Sequence, residues 1–134
     1  MCAKRIEWER ARPIWDAEPT LMAVWAFGSA QGGWVNPGSD IDLGLLLASR
    51  PTLDEQLNLL ARLQAVLRFE NIDLVILNEA NPILRFEAVS GRLLFCRDRD
   101  RLAEFVSLTA REYEDEVMFW RQSVKNYPAP RNNS

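Results

Sequence analysis

Asp40 and Asp42 stand two residues apart where an apolar run begins, and ten residues separate Asp40 from a Gly28-Ser29 pair at the end of an earlier apolar run. In an extended strand, residues two apart project to one face with about 6.6 Å between them, so both carboxylates can converge on one ion. A third acid, Asp73, stands at the beginning of another apolar run, Ile72 to Leu77. Magnesium prefers hard oxygen ligands, usually one or two carboxylates completed by phosphate oxygens and water. Nucleotidyl transfer calls for such a set: two divalent ions about 3.5–4 Å apart clamp the attacking and leaving oxygens. A carboxylate such as Asp73 can also accept the proton of the incoming hydroxyl.

Gly28 and Ser29 supply the complementary half. Lacking a Cβ, Gly28 lets the backbone approach a phosphate oxygen. Ser29 adds a hydroxyl and an amide, and a helical turn starting there would present free N–H groups to an anion. Gly33 and Ser39, in the loop that follows, complete the candidate nucleotide-binding set. The chain has no histidine, which excludes histidine triads, imidazole metal sites and histidine bases. Its two cysteines, Cys2 and Cys96, form no metal-spaced group; they read as a free terminal thiol and a buried small apolar residue.

At 134 residues the chain reads as a single domain over 1–134, with a core at 21–97. An apolar share of 48% excludes a disordered composition. The longest apolar runs are too short to cross a bilayer and the start lacks a signal-peptide core, which predicts a cytoplasmic protein without a membrane partner. A net charge of −3 with scattered basic residues disfavours direct nucleic-acid binding.

The elements that must position these groups follow from periodicity. Residues 5 to 17 read as an amphipathic helix that Pro13 starts or interrupts. Leu21 to Phe27 reads as a strand buried on both faces. From Ser29 to Ser39 the chain predicts a short helical turn and then a loop through Asn36-Pro37-Gly38. Asp40 to Ala48 is a strand with Ile41, Leu43, Leu45 and Leu47 on one face and the two aspartates on the other. Thr52 caps a helix with a stripe of Leu53, Leu57, Leu60, Leu63 or Gln64, and Leu67. After the strand at Ile72 to Leu77, Asn81-Pro82 opens a short helix ended by Gly91, and Arg92 to Cys96 is a strand. A long helix over 98–126 carries Leu102, Phe105 or Val106, Thr109, Tyr113, Val117, Trp120 and Val124 on one side, and 127–134 reads as a disordered tail. Phe119 and Trp120 diverge by about 100°, so one of them is expected at the surface. Strands alternating with helices predict an α/β, α+β-like layer: a small mixed β-sheet packed with helices.

Gly28-Ser29, ten residues and then Asp40-Ile41-Asp42 resembles the signature of the DNA polymerase β-like nucleotidyltransferase superfamily. With the continuation NIDLVILNEANPILRFEAVSGRLLF, residues 21 to 97 are similar to its minimal nucleotidyltransferase (MNT, MntA-like) branch. The resemblance implies the nucleotidyltransferase fold, two magnesium ions, ATP as substrate, Asp40, Asp42 and Asp73 as the carboxylate triad, and Gly28 and Ser29 as triphosphate contacts. It also implies an antitoxin that silences a HEPN-type toxin by moving AMP from ATP onto a tyrosine, as a hetero-oligomer or a homodimer. The chain departs from the pattern in one respect: Ala30-Gln31-Gly32-Gly33 offers no basic residue after the Gly-Ser, which leaves Arg50 and Arg85 as substitutes. Two other readings stay open, a module that neutralises a partner by contact and a small-molecule, aminoglycoside-type nucleotidyltransferase.

Overall fold

The structure, a computed structural model, describes residues 3–126, so Cys2 and the expected disordered tail at 127–134 lie outside the described residues. The segment read as one amphipathic helix divides into a two-residue strand β1 (Lys4–Arg5), a 3-10 turn (Trp8–Ala11) and helix α1 (Arg12–Ala17). Pro13 lies in the first turn of α1, where a missing N–H leaves no helix bond unmade. β1 exists because Lys4 and Arg5 pair antiparallel with Val35 and Trp34 of β3 (Trp34–Val35), a partner that local periodicity does not reveal.

The main sheet is built from β2 (Leu21–Phe27), β4 (Ile41–Leu47), β5 (Ile72–Ile76) and β6 (Arg92–Cys96) in the order β5-β4-β2-β6. β2 runs antiparallel to both neighbours, whereas β4 and β5 run parallel, so the sheet is mixed as expected. Helices α2 (Leu53–Leu67), α3 (Pro82–Val89) and α4 (Arg99–Asn126) complete the chain.

All seven residues of β2 are buried, because both faces of the sheet are covered. Ile41, Leu43, Leu45 and Leu47 of β4 enter one core with Trp15, Leu63 and Leu67. Leu46 enters the other with Trp25, Phe27, Leu77 and Ala88, and strand alternation puts Asp42 on this second face. A register shift in β2 between Leu21 and Ala23 lets both Met22 and Ala23 join the second core. Gly44 allows α3 to lie close over this face: a Cβ there would come within 3.1 Å of the Ala88 Cβ.

Thr52 caps α2 as expected; its Oγ1 accepts from the Glu55 N–H at 3.1 Å and the Glu55 carboxylate accepts from the Thr52 N–H at 3.0 Å. The apolar stripe is rotated from the expected one. Leu59, Leu63 and Leu67 are buried, whereas Leu53 and Leu57 are 68% and 54% exposed. In α2 many positions are leucine, so spacing alone admits two phases, and docking on the sheet selects one. Asn81 caps α3 by accepting the Leu84 N–H at 2.9 Å.

The first half of α4 packs through Leu102, Phe105 and Val106 on the second core, with Thr109 buried. Its far half leaves that core. Phe119 and Trp120 are 64% and 55% exposed and Val124 is exposed as well, so the expected stripe does not stay packed through Trp120 and Val124, and both aromatics face water. Cys96 is half-buried and unpaired rather than fully buried. No helix among the described residues is long and apolar enough to cross a membrane.

Gly91 sits where α3 turns into β6. A Cβ there would collide with the Ala26 carbonyl oxygen and approach the Phe27 Cβ to 2.9 Å. Ala26 belongs to an inner strand that cannot yield, so Gly91→Ala should lower unfolding free energy by about 1–3 kcal/mol. An unchanged urea midpoint would contradict this packing.

Candidate functional site

The site lies at the end of the sheet where β2 finishes and β4 begins. In the antiparallel ladder Phe27 is opposite Asp42, so the chain leaves β2 directly beside that carboxylate. Gly28 turns with φ +72°, a left-handed conformation that glycine adopts without a Cβ penalty. A Cβ on Gly28 would sit 2.5 Å from Asp42 Oδ2, so this position admits no side chain while Asp42 holds its place. Gly28 to Ala30 then form a single 3-10 turn, the short helical turn expected there, with Ser29 exposed on it.

The parallel ladder sets Asp42 opposite Asp73, and paired residues in a sheet project to the same side about 4.8 Å apart along the hydrogen-bonding direction. This register is fastened at both ends. The Ile41 N–H donates to Asn71 O at 2.8 Å, and the Leu77 N–H donates to Leu45 O at 2.9 Å. Beyond the strand, the Asn78 side chain accepts from the Leu47 N–H at 3.0 Å and donates to Leu47 O at 2.7 Å, extending the ladder with an amide. Asp40 enters from the turn that Ser39 closes by donating its N–H to Asn36 O at 3.0 Å.

Asp42 is half-buried, while Asp40 and Asp73 are exposed. Burial raises the Asp42 pKa above the ordinary 3.8, and the like charges of Asp73, Asp40 and Glu87 raise it further. Glu87, on α3, is a member of this site that its sequence context did not mark. It looked like an ordinary surface acid, and only the packing of α3 over Gly44 turns it toward Asp42. Among the described residues no three carboxylates are drawn together tightly enough to form a ready-made ion cage. Four like charges repel one another, and water screens those at the exposed positions. The donor set nonetheless fits a hard divalent cation: it is all carboxylate oxygen, and Asp42 carries an electrostatic penalty that a cation relieves.

Other expected residues have other partners. The Gly33 N–H donates to Ala30 O at 2.9 Å and its carbonyl accepts from the Ile6 N–H at 2.7 Å, so both its backbone groups are engaged within the fold. Arg85 donates to Leu77 O at 2.7 Å and to Asn78 O at 2.8 Å, and pairs with Glu112 at 3.4 Å. Arg50 is ion-paired with Glu79. Neither arginine is therefore a free substitute for the missing cation after Gly28-Ser29. Beside Gly28 opens a cleft of about 460 Å³ lined by Phe27, Gln31, Phe86, Glu87 and Tyr113, large enough for a small ligand. Phe86 and Tyr113 form its stacked wall, their ring centroids 4.0 Å apart.

Comparison with known proteins bears on this geometry. The family described as "Polymerase beta, Nucleotidyltransferase" matches residues 9–100. Among solved structures, a toxin-antitoxin crystal structure with AMP-PNP is similar with a TM-score of 0.73 at 24% identity, covering 90% of this chain and 97% of that one. A mutant of the toxin-antitoxin MntA-HpeT is similar with a TM-score of 0.66 at 27% identity, covering 88% and 90%. A tri-AMPylated Shewanella oneidensis HEPN toxin in complex with an MNT antitoxin gives 0.65 at 23% identity, covering 90% and 97%. Among curated proteins none matches.

The raised Asp42 pKa has a measurable consequence. The folded protein holds this proton more tightly than the unfolded chain, so stability falls as pH rises from about 3.8 through the folded value. In metal-free buffer, Asp42→Asn should melt above the parent at pH 7 and lose that advantage below pH 3.8. A variant that melts lower than the parent at pH 7 would refute the repulsion described here.

Proposed function

This chain belongs to the polymerase beta nucleotidyltransferase family and is a nucleotidyltransferase, and on that footing we propose that it moves AMP from ATP onto a tyrosine hydroxyl of a HEPN-type toxin, acting as that toxin's antitoxin in the cytoplasm. The observation that carries this reading is the pairing of Asp42 with Asp73 across a parallel ladder, beside a glycine turn whose bare Cα faces the Asp42 carboxylate. Support for the nucleotide and the acceptor comes from similar structures, one with AMP-PNP and one containing a tri-AMPylated HEPN toxin.

Asp40, Asp42 and Asp73 would hold the magnesium ions, with Glu87 adding negative charge nearby. Bound there, magnesium neutralises the triphosphate and makes the α-phosphorus open to attack. Gly28 keeps the turn after β2 close to Asp42, and the amides and hydroxyl around Ser29 would contact the nucleotide. Asp73, exposed at the sheet end, would receive the proton of the acceptor hydroxyl. The tyrosine oxygen forms a bond to the α-phosphorus while the bond to the β-phosphate oxygen breaks, and pyrophosphate leaves.

Incubating the protein with labelled ATP, magnesium and its HEPN-type partner should label the partner. Asp40→Asn and Asp42→Asn should abolish that label, and Asp73→Asn should slow it on the order of 10²–10⁴-fold. Labelling that survives the first two changes would overturn the assignment.

The exposed aromatics of α4 favour a second role beside the first, a grip on the partner that does not depend on transfer. Replacing both Phe119 and Trp120 by alanine should then weaken the complex by about 2 kcal/mol or more, the usual cost at buried aromatic anchors. Transfer of AMP to water or to a free tyrosine analogue should persist. Unchanged affinity by calorimetry would remove α4 from the interface.

A further inference from the structure

Trp8 and Arg92 meet at Gly33, and of the three only Gly33 was expected near a ligand. Trp8 is 8% exposed, and its indole Nε1–H is buried with no hydrogen-bond partner. Buried donors are nearly always paired, and one left unpaired costs about 1–3 kcal/mol, so an orphan of this kind calls for an explanation. Gly33 turns with φ +90°, and a Cβ placed on it would lie 3.7 Å from Trp8 Nε1 and 3.8 Å from Arg92 Nη1. Two N–H donors, one of them charged, therefore flank the same bare glycine.

Arg92 is held at this spot by the sheet. It opens β6 and pairs with Ala26, two residues before Gly28. Its side chain is exposed, and among the described residues no carboxylate lies within ion-pair distance of it. An unpaired guanidinium beside an orphaned indole N–H is a donor set for a multivalent oxyanion, because phosphoryl oxygens accept from both at once.

We propose that Trp8, Gly33 and Arg92 form a phosphoryl-binding site at the far end of the Gly28–Gly33 turn, and that Arg92 supplies there the cation absent after Gly28-Ser29. Gly33 contributes the absence of a side chain in front of the two donors rather than its own amide. Two sources share this chemistry: the terminal phosphates of the nucleotide, and free pyrophosphate or inorganic phosphate. The first source rests on the transferase reading above; the site itself does not.

The test titrates ¹⁵N-labelled protein with sodium pyrophosphate, without magnesium or nucleotide, and follows the Trp8 indole N–H resonance, assigned by its loss in Trp8→Phe. Pyrophosphate should shift this resonance in a saturable way, and Arg92→Gln should weaken the binding about tenfold or more while Arg92→Lys restores part of it. Calorimetry with ATP and with AMP then separates the sources. A loss confined to ATP assigns the site to the triphosphate tail, whereas a loss for pyrophosphate with ATP affinity unchanged assigns it to a free anion. If ATP does not bind at all yet pyrophosphate still binds through Arg92, the site stands and the nucleotide reading fails. No shift of the Trp8 indole, together with ATP and pyrophosphate affinities that Arg92→Gln leaves unchanged, overturns the proposal.

Discussion

The parallel pairing of β4 with β5 is the constraint on which this structure depends. It sets Asp42 beside Asp73, so that two carboxylates share one side of a sheet end at a separation where their repulsion is felt. Side chains alternate along a strand, so a slip of one residue would send Asp73 to the opposite face and dissolve the arrangement. The fold guards against that slip with bonds at both ends of the ladder: Ile41 to Asn71 at one, and the two-way amide bridge of Asn78 to Leu47 at the other. Arg85 of α3 then fastens the loop after β5 by donating to the carbonyls of Leu77 and Asn78. An arginine that the sequence offers for phosphate instead keeps the strand beneath the site in register.

Much of this was legible in the chain, for identifiable reasons. The boundaries of β2 and β6 follow from continuous apolar runs ended by Gly28 and begun after Gly91, and the starts of α2 and α3 from Thr52 with Glu55 and from Asn81 with Pro82. Those signals are local, and local chemistry decides them. The alternation of Ile41, Leu43, Leu45 and Leu47 against Asp42 and Gly44 also told correctly which face carries the acid. What stayed hidden depends on contacts distant in sequence. β1 owes its existence to β3, the phase of α2 to the sheet it covers, and the exposure of both Phe119 and Trp120 to the fact that α4 outruns the domain. The site shows the same division. Its aspartates are written into strand spacing, whereas Glu87 and the proposed Arg92 arrive through a helix crossing and a strand pairing that periodicity does not encode.

The glycines explain how a small sheet accommodates so crowded an end. At Gly28 a side chain would meet the Asp42 carboxylate, and at Gly44 it would push α3 away from β4. Removing both Cβ atoms brings the turn and the helix close to the acids on two sides. Closeness has a cost, since it buries part of Asp42 and adds the charge of Glu87 to those of Asp40 and Asp73. The carboxylates are thus held where their like charges repel one another and where a cation would relieve that repulsion. Such strain is common at functional sites and is retained only where the surrounding fold overrides it.

The length of α4 connects this chemistry to a partner. The helix has 28 residues, about 42 Å at 1.5 Å per residue, more than the small sheet needs to cover its face. Its first half seals the second core, Tyr113 then reaches the wall of the cleft beside Gly28, and Phe119 and Trp120 lie about two turns further on, in water. Under the proposed reading, a protein that grips those aromatics stands near the mouth of the cleft, with its own hydroxyl-bearing segment close to the carboxylates. A small-molecule acceptor would gain nothing from such an extension, whereas a protein acceptor must be held before one of its side chains can be offered. The unburied half of α4 is therefore better explained by a protein substrate than by the needs of the fold.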